Sequence, residues 1–87
     1  MSESPTEAAI REFLLRDILY DRNLKDLRPE ESLLDRGLLD SLGILKTVTF
    51  CEEHFGITIP DQEVLPENLE SVRAIAALVE RCRGLRT

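Results

Sequence analysis

Residues 40–60 read DSLGILKTVTFCEEHFGITIP, and this stretch decides the architecture. Asp40 is a capping residue, suited to accept from the free N–H groups that open a helix. Ile44, Val48, Cys51 and Phe55 then recur at helical spacing, with Leu42 and Leu45 widening the stripe. Gly56 stops that helix in the usual C-terminal manner. Ile57-Thr58-Ile59-Pro60 alternates and ends in proline, which predicts a short extended crossing.

Upstream, Ser4-Pro5-Thr6-Glu7 combines a cap, proline at the first helical position and glutamate three past the cap. Ile10, Phe13, Leu14 and Ile18 form one face of the helix this opens, with Arg11, Glu12, Arg16 and Asp17 opposite. The pattern fades at Asp21-Arg22-Asn23, so the helix ends near Leu19 or Tyr20, with no glycine or proline to enforce the end. Residues 21–39 are a long connection through which Leu24, Leu27, Leu33, Leu34, Leu38 and Leu39 are spread. So many leucines predict a loop packed down on the helices, with Gly37 taking a conformation that a Cβ would resist. Downstream, Asp61 to Leu69 holds a helical turn or two restarted at Pro66. A last helix runs from about Ser71, with Val72, Ile75, Ala76, Val79 and Cys82 on one face, and ends at Gly84. The expected fold is an all-α bundle of three main helices plus a short helix in the third connection. It forms one domain over residues 1–87, with a core at about 4–83 and a frayed tail at 84–87.

The chain has 87 residues, 43% hydrophobic and 32% charged, which is the composition of one small globular domain. Eleven basic against 17 acidic residues give a net charge of −6, a poor balance for binding nucleic acid. The acidity is concentrated: Thr47 to Val72 holds six carboxylates and no Lys or Arg, whereas 73–87 is net positive through Arg73, Arg81, Arg83 and Arg86. Such an acidic middle either attracts a basic protein surface or forms a solvated face. No apolar run approaches the ~20 residues of a membrane span, and no signal peptide is recognisable. Two cysteines 31 positions apart, with no metal-type spacing around His54, fit a reducing cytoplasm.

Ser41, His54 and several carboxylates raise the question of a hydrolytic triad. Both residues fall on the helix predicted after Asp40, thirteen apart, and a rise of ~1.5 Å per residue separates them by roughly 20 Å. Cys51 and Cys82 lie on apolar stripes, where cysteine behaves as a small buried hydrophobe. The carboxylates lack the spacing of a calcium loop, and no glycine-rich nucleotide loop occurs. The expectation is therefore no self-contained enzyme and no resident metal. One hydroxyl stands out: Ser41, on the first turn behind Asp40, where the positive end of the helix favours a phosphate. Asp-Ser alone is also a common capping pair.

Leu38-Leu39-Asp40-Ser41-Leu42 opening a helix after a leucine-rich loop resembles the acyl and peptidyl carrier protein family. Phe55-Gly56-Ile57-Thr58-Ile59-Pro60-Asp61 is similar to the segment after that family's second helix, and the likeness covers about residues 8–83. The resemblance implies 4′-phosphopantetheine, received from coenzyme A, on Ser41, with Asp40 assisting. A separate phosphopantetheinyl transferase, using Mg2+ only during modification, makes that phosphodiester. The arm's thiol then carries an acyl, aminoacyl or peptidyl group as a thioester between enzymes. Leu42, Leu45 and Lys46 are the candidate partner contacts. The protein so described is a substrate of other enzymes: an adenylating ligase, and a downstream acyl or aminoacyl transferase.

Fatty-acid carriers typically place acidic residues just after the serine triplet, whereas this chain has Gly43, Ile44, Leu45 and Lys46. Gly37-Leu38-Leu39-Asp40-Ser41-Leu42-Gly43 is more similar to stand-alone aminoacyl carriers such as the D-alanyl group. The leading expectation is thus a discrete, monomeric, cytoplasmic aminoacyl or acyl carrier. The alternatives are a fatty-acid or polyketide acyl carrier, or a docking module of the same fold that never carries an arm.

Overall fold

The computed structural model describes residues 4–20 and 27–84. The first helix, α1 (Pro5–Phe13), begins as its sequence dictates. Ser4 Oγ accepts the Glu7 N–H at 3.1 Å, and Glu7 Oε1 accepts the Ser4 N–H at 3.2 Å, satisfying two otherwise orphaned donors. The helix then widens into a π-turn over Leu14–Ile18, closed by the Leu19 N–H on Leu14 O at 2.7 Å. This corrects the expectation of a plain α-helix running to Leu19 or Tyr20. Five residues of α-helix would turn Leu19 ~140° away from Leu14. The wider turn leaves both buried.

The described part of the long connection is packed as its leucines require: Leu27, Leu33, Leu38 and Leu39 are buried and Leu34 half-buried. Two backbone bonds lash it to the end of the chain, Leu33 N–H to Glu70 O at 2.6 Å and Arg73 N–H to Pro29 O at 2.8 Å. Gly37 stands at φ +67°, the left-handed conformation anticipated for it. The expectations for Leu24 and for the helix break at Asp21-Arg22-Asn23 lie outside the described residues.

The second helix, α2 (Ser41–Phe55), ends at Gly56 with φ +65°. Its core face is Gly43, Thr47 and Cys51, flanked by half-buried Ile44, Val48 and Phe55. Leu42 and Leu45 do not widen the buried stripe; they are 59% and 63% exposed. Leu45 sits two residues from both Gly43 and Thr47, ~200° round the helix from each, so it must face away from the core. Residues 57–60 cross extended, with Ile57 and Ile59 buried. A 3-10 turn (Asp61–Glu63), the four-residue α3 (Pro66–Leu69) and α4 (Val72–Gly84) complete the described chain.

Ser71 Oγ accepts the Ala74 N–H at 3.1 Å, opening α4 one residue beyond the expected start. Helix α4 is the hub: it packs on α1 and α3 and buries Val72, Ile75, Ala76, Leu78, Val79 and Cys82. Each large aliphatic side chain so buried contributes about 1.5–3 kcal/mol. Thr6 Oγ1 donates to Glu80 Oε2 at 2.6 Å and ties α1 to α4. On α4, Arg81 reaches Glu63 and Asn68, and Arg83 reaches Glu80 and covers the Phe55 ring. The frayed Leu85-Arg86-Thr87 expected from sequence lies outside the described residues. Among the described residues there is no strand, and the three main helices with a short helix in the third connection match the expected bundle.

Candidate functional site

Asp40 is the cap of α2, extended at φ −103° and ψ −173°. Its Oδ1 accepts the Gly43 N–H at 2.8 Å, and its carbonyl accepts the Ile44 N–H at 2.8 Å. That leaves the N–H groups of Ser41 and Leu42 with no acceptor inside the helix, at the positive end of its dipole. Ser41 is the first helical residue and is exposed. An accessible hydroxyl beside two open N–H groups fits a phosphate ester, favoured there by about 0.3–1 kcal/mol.

Gly43 is the residue of this site whose role was hidden in the sequence. A Cβ on it would stand 2.9 Å from Leu39 Cδ1, 3.3 Å from Asp40 Oδ1 and 3.6 Å from Ile18 Cγ2. The missing side chain lets the π-turn of α1 and the loop leucine close on the start of α2. Asp40, Leu42, Gly43 and Lys46 consequently share a depression of about 180 Å³ with Asp17 and the exposed Tyr20. Leu42, Leu45 and Lys46 all stand on the solvent side of α2, so of the candidate contacts the structure brings Leu42 and Lys46 into one depression with Asp40.

His54 lies in the last turn of α2, exposed, stacked on Phe50 at 4.9 Å and edge-on to Phe55 at 4.8 Å between centroids. With Ser41 at the opposite end of the same helix, roughly 20 Å away, the two cannot share a proton. Cys51 and Cys82 are buried free thiols. Burial pushes the Cys51 thiol up to about 12, with Cys82 and Glu52 adding to the effect, and burial likewise raises Cys82. Both are neutral core groups rather than nucleophiles.

The acidic middle is only partly a solvent face. Glu52 Oε2 accepts the Ile59 N–H at 2.9 Å, and Glu63 accepts from Asn68 and Arg81. Glu53, Asp61, Glu67 and Glu70 remain exposed. The internal use of Glu52 was not apparent beforehand, because a glutamate seven residues before an extended crossing is no recognised cap. Among the described residues no group of three or more His, Cys, Asp or Glu is placed to hold a metal. No described helix is long and apolar enough to cross a membrane.

The family described as phosphopantetheine attachment site matches residues 10–79. The chain belongs to this carrier protein family. Aminoacyl carrier protein 2 of Bradyrhizobium diazoefficiens is 31% identical over 67 residues, covering 76% of this chain and 74% of that one. The acyl carrier protein homolog of Mycoplasmopsis pulmonis is 34% identical over 73 residues, covering 84% and 94%. Among solved structures, a Bradyrhizobium japonicum glycine carrier-protein ligase complexed with its cognate carrier protein and a glycyl adenylate analogue contains a similar chain. That similarity has a TM-score of 0.73 at 26% identity and covers 90% of this chain and 99% of the other. The fold is therefore that of carrier proteins, and such carriers are non-catalytic substrates of other enzymes. Phosphopantetheine attachment comes with the family.

Proposed function

We propose that this carrier protein bears 4′-phosphopantetheine on Ser41 and shuttles a thioester-bound aminoacyl group between partner enzymes. The observation that carries the reading is the exposed Ser41 hydroxyl on the first turn of α2, directly behind the capping Asp40. In the modification by a transferase, Ser41 Oγ bonds to phosphorus and one P–O bond of the coenzyme A pyrophosphate breaks. The hydroxyl proton passes to the transferase, and adenosine 3′,5′-bisphosphate leaves. Asp40 assists in that reaction together with Mg2+; its Oδ1 is anchored on Gly43, which holds the carboxylate in place at the residue before Ser41. When bound, the group supplies a flexible reach and a terminal thiol.

The rest of the work falls to the surface of α2. Leu42 and Leu45 offer partner enzymes apolar contact, and Lys46 offers a charge. Exposed leucines grouped beside a modification site form an apolar patch, a surface feature that marks protein–protein contact. Partners in this reading are the transferase, an adenylating ligase that loads the thiol, and a transferase that removes the cargo. The protein acts as a cytoplasmic monomer.

Three supports favour an aminoacyl cargo. Residues 37–43 are most like stand-alone aminoacyl carriers, relatives carry that name, and a similar chain is seen with a glycine ligase. Relatives named acyl carrier protein keep a fatty-acyl or polyketide carrier as the second reading. The test is to offer the modified protein to a panel of adenylating ligases with ATP and either amino acids or fatty acids, and to read intact mass. Gain of an aminoacyl group is the expected result. Loading by fatty acids alone, with no amino acid accepted, would overturn the aminoacyl reading.

A further inference from the structure

A groove of about 530 Å³ runs between α1 and α2, on the side of α2 that faces solvent. Its floor is the stacked pair Phe13–Phe50, with ring centroids 4.2 Å apart and planes 11° from parallel. Leu45 and Thr49 form part of its α2 wall. It shares Asp17 and Lys46 with the smaller depression beside Asp40 and Leu42, so the two form one track that starts next to Ser41. Leu42, Lys46, Thr49 and Glu53 recur every three or four residues along it, Leu45 stands beside Lys46, and all five are exposed. At the first turn of a helix no preceding turn obstructs a substituent on Ser41 from crossing past Leu42 onto this face.

The charges along the track are ordered. Arg16 and Asp17 pair with each other at 3.1 Å. Lys46 and Glu53 make no ion pair or hydrogen bond among the described residues, and both line the groove. Lys46 thus sits ~8 Å along the helix axis from Ser41 and Glu53 ~18 Å along it, each unpaired among the described residues, with the aromatic floor between. The backbone of a phosphopantetheine arm has about as many atoms as five peptide residues, so its extended reach is ~17 Å. Charged with an amino acid, such an arm is anionic at the serine end and bears an ammonium at the far end.

We infer that the α1–α2 groove receives the aminoacyl-charged arm, with Lys46 on the side of the phosphodiester, Phe13 and Phe50 under the amide-bearing chain, and Glu53 meeting the cargo ammonium. The inference rests on the attachment of the arm to Ser41. It makes Glu53 a cargo-discriminating residue: an aminoacyl group gains a charge-assisted contact that an uncharged acyl group of similar size lacks.

The test uses the full chain carrying an arm that ends in an amide-linked glycyl group, compared with one ending in acetyl, each verified by intact mass. Backbone amide NMR shifts are read against the unmodified protein. The glycyl arm is expected to move the signals of Lys46, Thr49, Phe50 and Glu53, the acetyl arm to move the Thr49–Glu53 signals at least twofold less, and Glu53→Gln to abolish the difference. Glu53 is exposed, so that substitution leaves the fold intact. Full added mass with shifts confined to residues 40–43, or equal shifts for both arms, would overturn the groove while leaving the attachment reading standing. Absence of added mass would overturn the attachment reading and this inference with it.

Discussion

Asp40 Oδ1 accepts the Gly43 N–H at 2.8 Å, and a Cβ on Gly43 would stand 3.3 Å from that same oxygen. Cap and glycine thus form one device: the carboxylate closes over the first turn of α2 because nothing on residue 43 keeps it away. The cap that Asp40 supplies to α2 and the part proposed for it in modifying Ser41 can be separated by substitution.

Asp40→Ala removes the cap and should cost about 1 kcal/mol of stability in chemical denaturation, while Asp40→Asn keeps the cap and should cost little. Both should slow the gain of mass with a phosphopantetheinyl transferase. A wild-type modification rate for Asp40→Asn would show that the carboxylate serves the helix alone.

Gly37 is expected to matter through backbone conformation only. Its φ is +67°, and an added Cβ meets nothing within 4 Å. Gly37→Ala should therefore destabilise by roughly 1–2 kcal/mol, and Gly37→Asn by less, since asparagine tolerates the left-handed region. Equal stability of Gly37→Ala and the parent in denaturant titrations would contradict this account of the turn.

Glu52 holds the 57–60 crossing onto α2 by accepting the Ile59 N–H at 2.9 Å. Glu52→Ala should cost about 1–3 kcal/mol by leaving that donor unpaired, and Glu52→Gln, whose amide oxygen still accepts, should cost less. Amide hydrogen exchange at Ile59 reports the change directly. Unaltered protection at Ile59 in Glu52→Ala would show that the bond contributes nothing.

The buried thiol of Cys51 gives a pH signature. Its pKa lies at about 12 in the folded protein against an ordinary 9.0, so the folded state holds that proton more tightly than the unfolded one. The associated stability is fully present below about pH 9 and is lost as the pH rises towards about 12. Denaturation midpoints should fall across that window, and fall less steeply in Cys51→Ala. Identical slopes in the two proteins would refute it.

Local signals made much of this molecule legible in advance. Ser4 and Glu7 form the capping box their spacing announced, Gly37 and Gly56 take positive φ, and the loop leucines are buried. Each depends on neighbours a few residues away or on plain hydrophobicity. What was hidden depends on tertiary approach. Leu42 and Leu45 were open to two readings, as a widening of the apolar stripe and as partner contacts, and the inward orientation of Gly43, Thr47 and Cys51 decides that they face solvent. The π-turn at Leu14–Ile18 follows from burying Leu14 and Leu19 together, a demand that helical periodicity does not contain. At the candidate site, the capping place of Asp40 and the first-turn place of Ser41 were readable from residue type and spacing. The groove over Phe13 and Phe50 needed two helices placed side by side.

The most direct measurement of the central claim is intact mass before and after incubation of the unmodified protein with coenzyme A, Mg2+ and a broad-specificity phosphopantetheinyl transferase, run beside Ser41→Ala. The account predicts the gain of one phosphopantetheinyl group by the parent and none by Ser41→Ala. No gain by the folded parent, or an equal gain by Ser41→Ala, would contradict it.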